Sequence, residues 1–443
     1  MKLGLAIATL GVAACGSVNQ TAPDAAVDET VDASPDAPPD ATPDARTDCP
    51  IGTTTLCDGD NLVTCDEAGN ITDTSPCALG CNASAGRCKV VDPSNGLASH
   101  LDEAAAAPDL TLSGATTIDT TNQTIIDATG ARVVPTTTLT TGLPVEVFVV
   151  KVKSFTTNGN VTITGSRALA IVSDGPVLIR NLVTLSANGS TNGPGALTED
   201  ATCRGGSAPA GNVEGKAGGG GGGFGTAGGR GGNGGNPLIN GAAGGAVSPT
   251  SDLVPLRGGC PGGRASNASA NYAPGGGGGA LQLSSNTSIT LDSGAILAIN
   301  GGGAKGPTGP VACISGAPCG NGEGGGSGGG LLLEAPAITV NASARIYANG
   351  GGGTCDVDGS AQNGLLSPTQ PASGQSCSGQ TGDGGDGAVG ALAAQNGEDE
   401  SGDNSVGGGG GGGLGRVRVN LPVGATFSAT ISGVQSVGVL STR

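Results

Sequence analysis

Two stretches of this chain repeat the spacing of their apolar residues without a gap: ALAIVSDGPVLIRNLVTLSANG at 168–189 and ALQLSSNTSITLDSGAILAING at 280–301. The apolar residues come in pairs at i and i+2, which places both side chains of a pair on one face of a short strand. Val161/Ile163, Leu169/Ile171, Val177/Ile179 and Leu185/Ala187 begin at intervals of eight. Three such strands with their turns take 24 residues, so Leu185 is expected to stack above Val161. The pattern returns at Leu281/Leu283, Ile289/Leu291 and Leu297/Ile299, and again at Leu331/Leu333, Ile338/Val340 and Ile346/Ala348. Val417/Val419 opens a shortened fourth copy. A chain that keeps its inward residues and frees its outward ones is predicted to stack coil on coil. The expected fold is all-β: a right-handed parallel β-helix, a three-sided solenoid of about 24 residues per coil, over 109–443. Each full copy closes on Asn-Gly (188–189, 300–301 and 349–350), a pair expected to supply the positive φ of a tight corner.

Between the copies lie three long inserts, 190–279, 302–329 and 351–413, which hold most of the 88 glycines. Each carries one pair of cysteines: Cys203 and Cys260, Cys313 and Cys319, Cys355 and Cys377. One pair per insert is the distribution expected if a disulfide clips each loop. GGRGGNGGN at 228–236 has a three-residue period suited to extended polyglycine-II strands, which pack closely for want of side chains. A floppy loop is the alternative.

Before the repeats come three segments of different composition. Residues 1–14 have one Lys and a short apolar run, too short to span a bilayer, and read as a signal peptide. Val12-Ala13-Ala14-Cys15 resembles the lipobox of bacterial lipoproteins, which implies cleavage before Cys15 and lipidation of its sulfur. Residues 15–48 place Asp at every fourth position from 24 to 48, mostly after Pro, and are expected to form an extended, solvated tether. Residues 49–88 hold six cysteines, Cys49, Cys57, Cys65, Cys77, Cys81 and Cys88. So small a unit needs staples, and in an exported chain without a His in the unit these are disulfides rather than zinc ligands. Fifteen connectivities remain open. Residues 89–108 form a junction.

The charged residues exclude some functions. With 19 Lys+Arg against 36 Asp+Glu the chain lacks the basic patches that bind phosphate backbones, so nucleic acid is not an expected partner. The single His, His100, stands in the junction, so no Ser-His triad can be assembled within the repeats. GGSGG at 325–329 meets the nucleophile-elbow pattern trivially, as polyglycine does. Equivalent corners carry Asp174, Asn286 and Pro336, which gives no acidic ladder for glycoside hydrolysis. Arg180, Arg345 and Arg416 are single cations of the kind a lyase would use. No cofactor is expected. Calcium is the one metal that the acidic loops suit, with Asp356, Asp358, Asp383 and Asp386 as weak candidate ligands.

The order of lipobox, Pro-Asp tether, Cys-rich module and glycine-rich repeats resembles surface lipoproteins of myxobacteria and related bacteria. The repeat region is similar in architecture to the pectin-lyase-like parallel β-helix. Together these imply a protein anchored by lipid to the outer membrane or cell surface. Its role would be structural or adhesive, binding matrix or polysaccharide without catalysis. The alternative that the architecture implies is a polysaccharide lyase or glycosidase of the β-helix class.

Overall fold

The apolar pairs form strands, and the strands of successive copies lie side by side in parallel. The computed structural model describes residues 49–133, 136–139, 146–198, 200–211, 215–266, 272–306, 322–355 and 359–443. The expected leader, Cys15, the Pro-Asp tether, Cys313, Cys319, Asp356 and Asp358 lie outside the described residues. The described chain is nearly all β, with one short helix, α1 (Ala98–Ala104).

Three sheets carry the repeats. The first orders Thr136–Leu139, Val147–Val152, Ala168–Ser173, Ala280–Ser285, Gly330–Glu334, Arg416–Leu421 and Val434–Val439. The second orders Ala337–Val340, Ser288–Leu291, Val177–Ile179, Phe155–Thr157 and Leu110–Leu112. The third runs from Thr430–Ser432 through Arg345–Tyr347, Ile296–Ala298, Leu182–Thr184 and Val161–Thr164 to Thr116–Asp119. Thr124–Ile126 and Arg132–Val133 close its far edge as antiparallel strands. Through the full copies the chain visits the first, second and third sheets in that order. Inward side chains from all three meet in one apolar core, among them Leu169, Ile171, Val177, Ile179, Leu281, Leu283, Ile289, Leu297, Leu331 and Ile346.

The register explains the repeat and corrects its arithmetic. Leu169 pairs with Leu281 and Val177 with Ile289, the offset that the sequence repeat predicts. In the third sheet Val183, not Leu185, pairs with Leu297, so two residues slip. A slip of two preserves which face is inward, and Leu185 stays in the core. Likewise Val161 stacks on Val183 rather than Leu185, and Phe155 on Val177. The repeat between paired strands is therefore shorter here than the expected 24 residues, because the third-sheet strand begins closer to the second than an even spacing assumes. The Asn-Gly corners also differ from expectation. Gly189 has φ 55°, whereas Gly301 and Gly350 are not in the positive-φ region. At those two corners the Asn side chain does the work instead: Asn300 Oδ1 accepts the Asn349 N–H at 2.8 Å, and Asn349 Oδ1 accepts the Ser432 hydroxyl.

The inner strands of the first sheet, Val147–Val152 and Ala168–Ser173, are buried on both faces, as their nearly continuous apolar runs VFVVKV and ALAIVS require. Its outer face makes a second core, where Leu97, Leu101 and Ala104 in and beside α1 meet Val147, Val149, Ala168 and Ala170. Residues 90–92 pair with the chain end, Val90 N–H to Arg443 O at 3.1 Å and Arg443 N–H to Val90 O at 3.0 Å. The Cys-rich unit holds Cys49–Cys65, Cys57–Cys81 and Cys77–Cys88 disulfides around a small core of Cys49, Val63 and Cys65.

All three inserts leave after a third-sheet strand and return into a first-sheet strand, so they emerge at one corner and lie together. There the described glycine segments are hydrogen-bonded, not floppy. The segment 407–415 is their hub. Gly407, Gly410 and Gly413 donate to Lys216, Gly219 and Gly222 of the first insert. Gly408 and Gly411 donate to Glu398 and Gln395, while Gly409, Gly412 and Gly415 donate to Thr354, Gly351 and Ala348. In return Gly229 and Gly232, Gly325 and Gly328, and Gly385 and Ala388 donate to its carbonyls. Every third residue faces the same neighbour, as the threefold winding of polyglycine II dictates. A Cβ at any position from Gly408 to Gly412 would stand 1.9–2.1 Å from a neighbour's carbonyl oxygen. Only glycine permits this packing. Disulfides Cys203–Cys260 and Cys355–Cys377 clip the first and third inserts, as expected.

Candidate functional site: a groove of hydroxyls and amides

Strand alternation turns Thr162 and Thr164 outward while Val161 and Ile163 enter the core. Thr162 stands in register with Thr117 on one side and Thr184 on the other, a row of hydroxyls along the outer face of the third sheet. Ser186 and Asn188 continue from Thr184, and the first insert returns past them with Thr191, Asn192 and Pro194. These residues enclose a groove of about 410 Å³.

Part of the polar lining is committed to the fold. Ser186 Oγ accepts the Asn300 N–H at 3.0 Å, and Asn192 Oδ1 accepts the Gly277 N–H at 2.9 Å. Asn188 Oδ1 accepts from Asn363 Nδ2 at 3.1 Å, which pins the third insert to the groove's rim. Thr162, Thr164 and Thr191 are exposed, and each hydroxyl can both donate and accept. The lining holds no carboxylate, imidazole, thiol, amine or guanidinium. Such a surface can hydrogen-bond a neutral polyhydroxyl ligand, but it has no group to move a proton at a reacting atom.

The residues that sequence reasoning singled out for chemistry are dispersed. His100 lies on α1, half-buried, with no partner for Nδ1; burial and then the charge of Lys151 lower its pKa. Arg180 bonds Asn158, Arg345 bonds the Ala342 and Ala344 carbonyls, and Arg416 is buried against Phe224 and the Ser248 carbonyl. They do not converge. Asp174 does stack on Asn286, at 3.0 Å, but a single carboxylate stands there. Asp383 accepts the Cys377 N–H at 2.6 Å and Asp386 the Gly374 N–H at 2.8 Å, so both serve as loop ties. Among the described residues no group of three or more His, Cys, Asp or Glu side chains is placed to hold a metal.

Sequence reasoning missed Glu334, buried on the outer face of the first sheet. Its carboxylate accepts from Ser94 N–H at 3.1 Å, Ser94 Oγ at 2.6 Å, and Gln282 Nε2, Ser284 Oγ and Asn420 Nδ2 at 2.9 Å each. Ser284 and Asn420 flank it in register, while Ser94 comes from the junction. The network fastens the junction across three strands. The signal was the run Gly330–Leu333: a strand apolar at every position is covered on both faces, so a charge at its end must be paired.

No protein-family model, no curated protein and no solved structure matches the chain. The groove's chemistry therefore carries the functional argument.

Proposed function

We propose that this chain is a lipid-anchored protein of the bacterial cell surface, of the myxobacterial surface-lipoprotein type, with an adhesive role and no catalysis. In this reading residues 1–14 are removed, Cys15 carries the lipid and residues 15–48 hold the folded part away from the membrane. The repeats wind as a right-handed, three-sided parallel β-helix. That winding is supported by the fixed order in which the chain visits three sheets around one core. The ligand is a neutral polysaccharide of the surrounding matrix, seated in the groove on the third sheet.

The observation that carries the reading is the groove's lining: hydroxyls and amides at strand spacing, without an ionisable group. Neutral sugars present hydroxyls that both donate and accept, and this lining answers in kind. Uronate or phosphate polymers would find no cation there. The test mixes the oxidised protein with a panel of soluble and insoluble polysaccharides, following protein depletion and sugar release together. Retention on a neutral polymer, weakened by Thr162→Val with Thr164→Val and without released sugar, is the expected result. Sugar release would overturn the non-catalytic reading, and retention by no polymer would overturn the glycan ligand.

A further inference from the structure

Glu323 lies inside the glycine bundle with no exposure to solvent. Its backbone is pinned: the N–H donates to Thr354 Oγ1 at 2.9 Å and the carbonyl accepts the Thr354 N–H at 2.9 Å. Its carboxyl is poorly provided for. Oε2 receives one long contact, 3.4 Å from the Ala265 N–H, and Oε1 has no partner. A buried carboxylate without donors is far costlier than the neutral acid.

The position matters because segment 322–326 joins all three inserts. Gly219, Gly222 and Gly275 of the first insert donate to Gly322, Gly325 and Gly324. Gly325 donates to Gly410, and Gly351 donates to Gly326, which ties in the third insert. We infer that Glu323 is a proton-controlled latch: neutral, it lets the three inserts close on one another, and ionised, it opens the bundle around 322–326.

The segments bonded to residues 322 and 323 carry Lys216 and Arg264 as their ionisable side chains, and Cys355 is held in a disulfide. Of these, Arg264 opposes the effect of burial. Burial pushes the carboxyl from 4.5 up to about 8, with Arg264 and the Ala265 N–H pulling it down. The sign follows. A raised carboxyl stabilises the closed form fully below 4.5, and that contribution is lost as pH rises toward 8. Opening then releases one proton, so protection falls about tenfold per pH unit in that window and levels off above it.

The experiment measures hydrogen exchange of peptides covering 322–330 in the disulfide-intact protein from mildly acidic to mildly alkaline pH, spanning the window from 4.5 to about 8, corrected for intrinsic exchange. The wild type is expected to lose protection with that slope, and Glu323→Gln to show no slope. Arg264 is exposed, with one long bond to the Tyr272 carbonyl at 3.5 Å, so Arg264→Gln tests the latch away from the buried packing; it should extend the fall to higher pH. A pH-independent wild type, or a Glu323→Gln protein sharing the wild-type slope, overturns the latch. If Glu323→Gln does not accumulate, an unmoved window in Arg264→Gln overturns it.

Discussion

Replacing Gly412 with Ala tests whether the glycine bundle is as tightly built as its hydrogen bonds indicate. The new Cβ would stand 1.9 Å from the Gly326 oxygen, 2.4 Å from its carbonyl carbon and 3.0 Å from the Ser327 nitrogen. Ordinary contact requires about 3.4 Å or more, so one segment must retreat by roughly 1.5 Å. The Gly326 oxygen accepts the Gly351 N–H, Gly326 itself donates to Gly302, and Gly412 donates to Gly351. A retreat of that size breaks two of these buried bonds, at about 1–3 kcal/mol each. Ala also gains about 0.4–1 kcal/mol by restricting the unfolded chain. The net expectation is a loss of about 1–6 kcal/mol. Gly424 provides the control, because its φ is 84° and nothing lies within 4 Å of a Cβ there. Gly424→Ala is strained only by its backbone, at about 1–2 kcal/mol. The chain has no Trp, so urea unfolding followed by far-ultraviolet circular dichroism is the suitable assay. If Gly412→Ala proves as stable as Gly424→Ala, the close approach of backbones is refuted.

Three further outcomes are expected. Removing the Cys203–Cys260 disulfide, which spans 57 residues, should cost about 4 kcal/mol by loop entropy, read from the shift in urea midpoint of the double Ser variant. Glu334→Ala should cost about 3 kcal/mol or more by stranding Ser94, Gln282, Ser284 and Asn420, and limited proteolysis should then cut the junction first; Glu334→Leu would strand the same donors and should not rescue it. The hydrogen bond from Arg443, at 2.6 Å, holds Asp102 below its ordinary 3.8, so this tie is present above that value and lost as pH falls through the lowered one. Arginine side-chain spectra should show Arg443 released in acid, and Asp102→Asn should abolish the transition.

Much of the stack was legible in the sequence because inward positions obey a strict period of two. That period identified Leu281, Leu283, Ile289, Leu297, Leu331 and Ile346 as core before any partner was known. The same period hides slips of two residues, since Val183 and Leu185 both face inward and only the register decides which sits beside Leu297. The groove was not legible. Thr162 and Thr184 are twenty-two positions apart, and their adjacency depends on a repeat length that even spacing overestimates. The bundle was half legible: a three-residue glycine period permits polyglycine II, but its neighbours come from inserts far apart in the chain. Asn300 and Asn349 illustrate a further limit. Asn-Gly suits a positive-φ turn, yet here side-chain bonds to the next copy outweigh the local preference. Glu334 and Glu323 depend on contacts of the same long range.

The claim on which the account rests is that three inserts, distant in sequence, form one hydrogen-bonded body at a single corner of the sheets. Amide exchange of glycine-selectively ¹⁵N-labelled protein, held in mild acid where Glu323 is neutral, tests it most directly. Gly219 and Gly222, which donate to the second insert, and Gly410 and Gly413, which donate to the first, should be protected as strongly as the sheet amides. Exchange of these four at the rate of an open chain would contradict it.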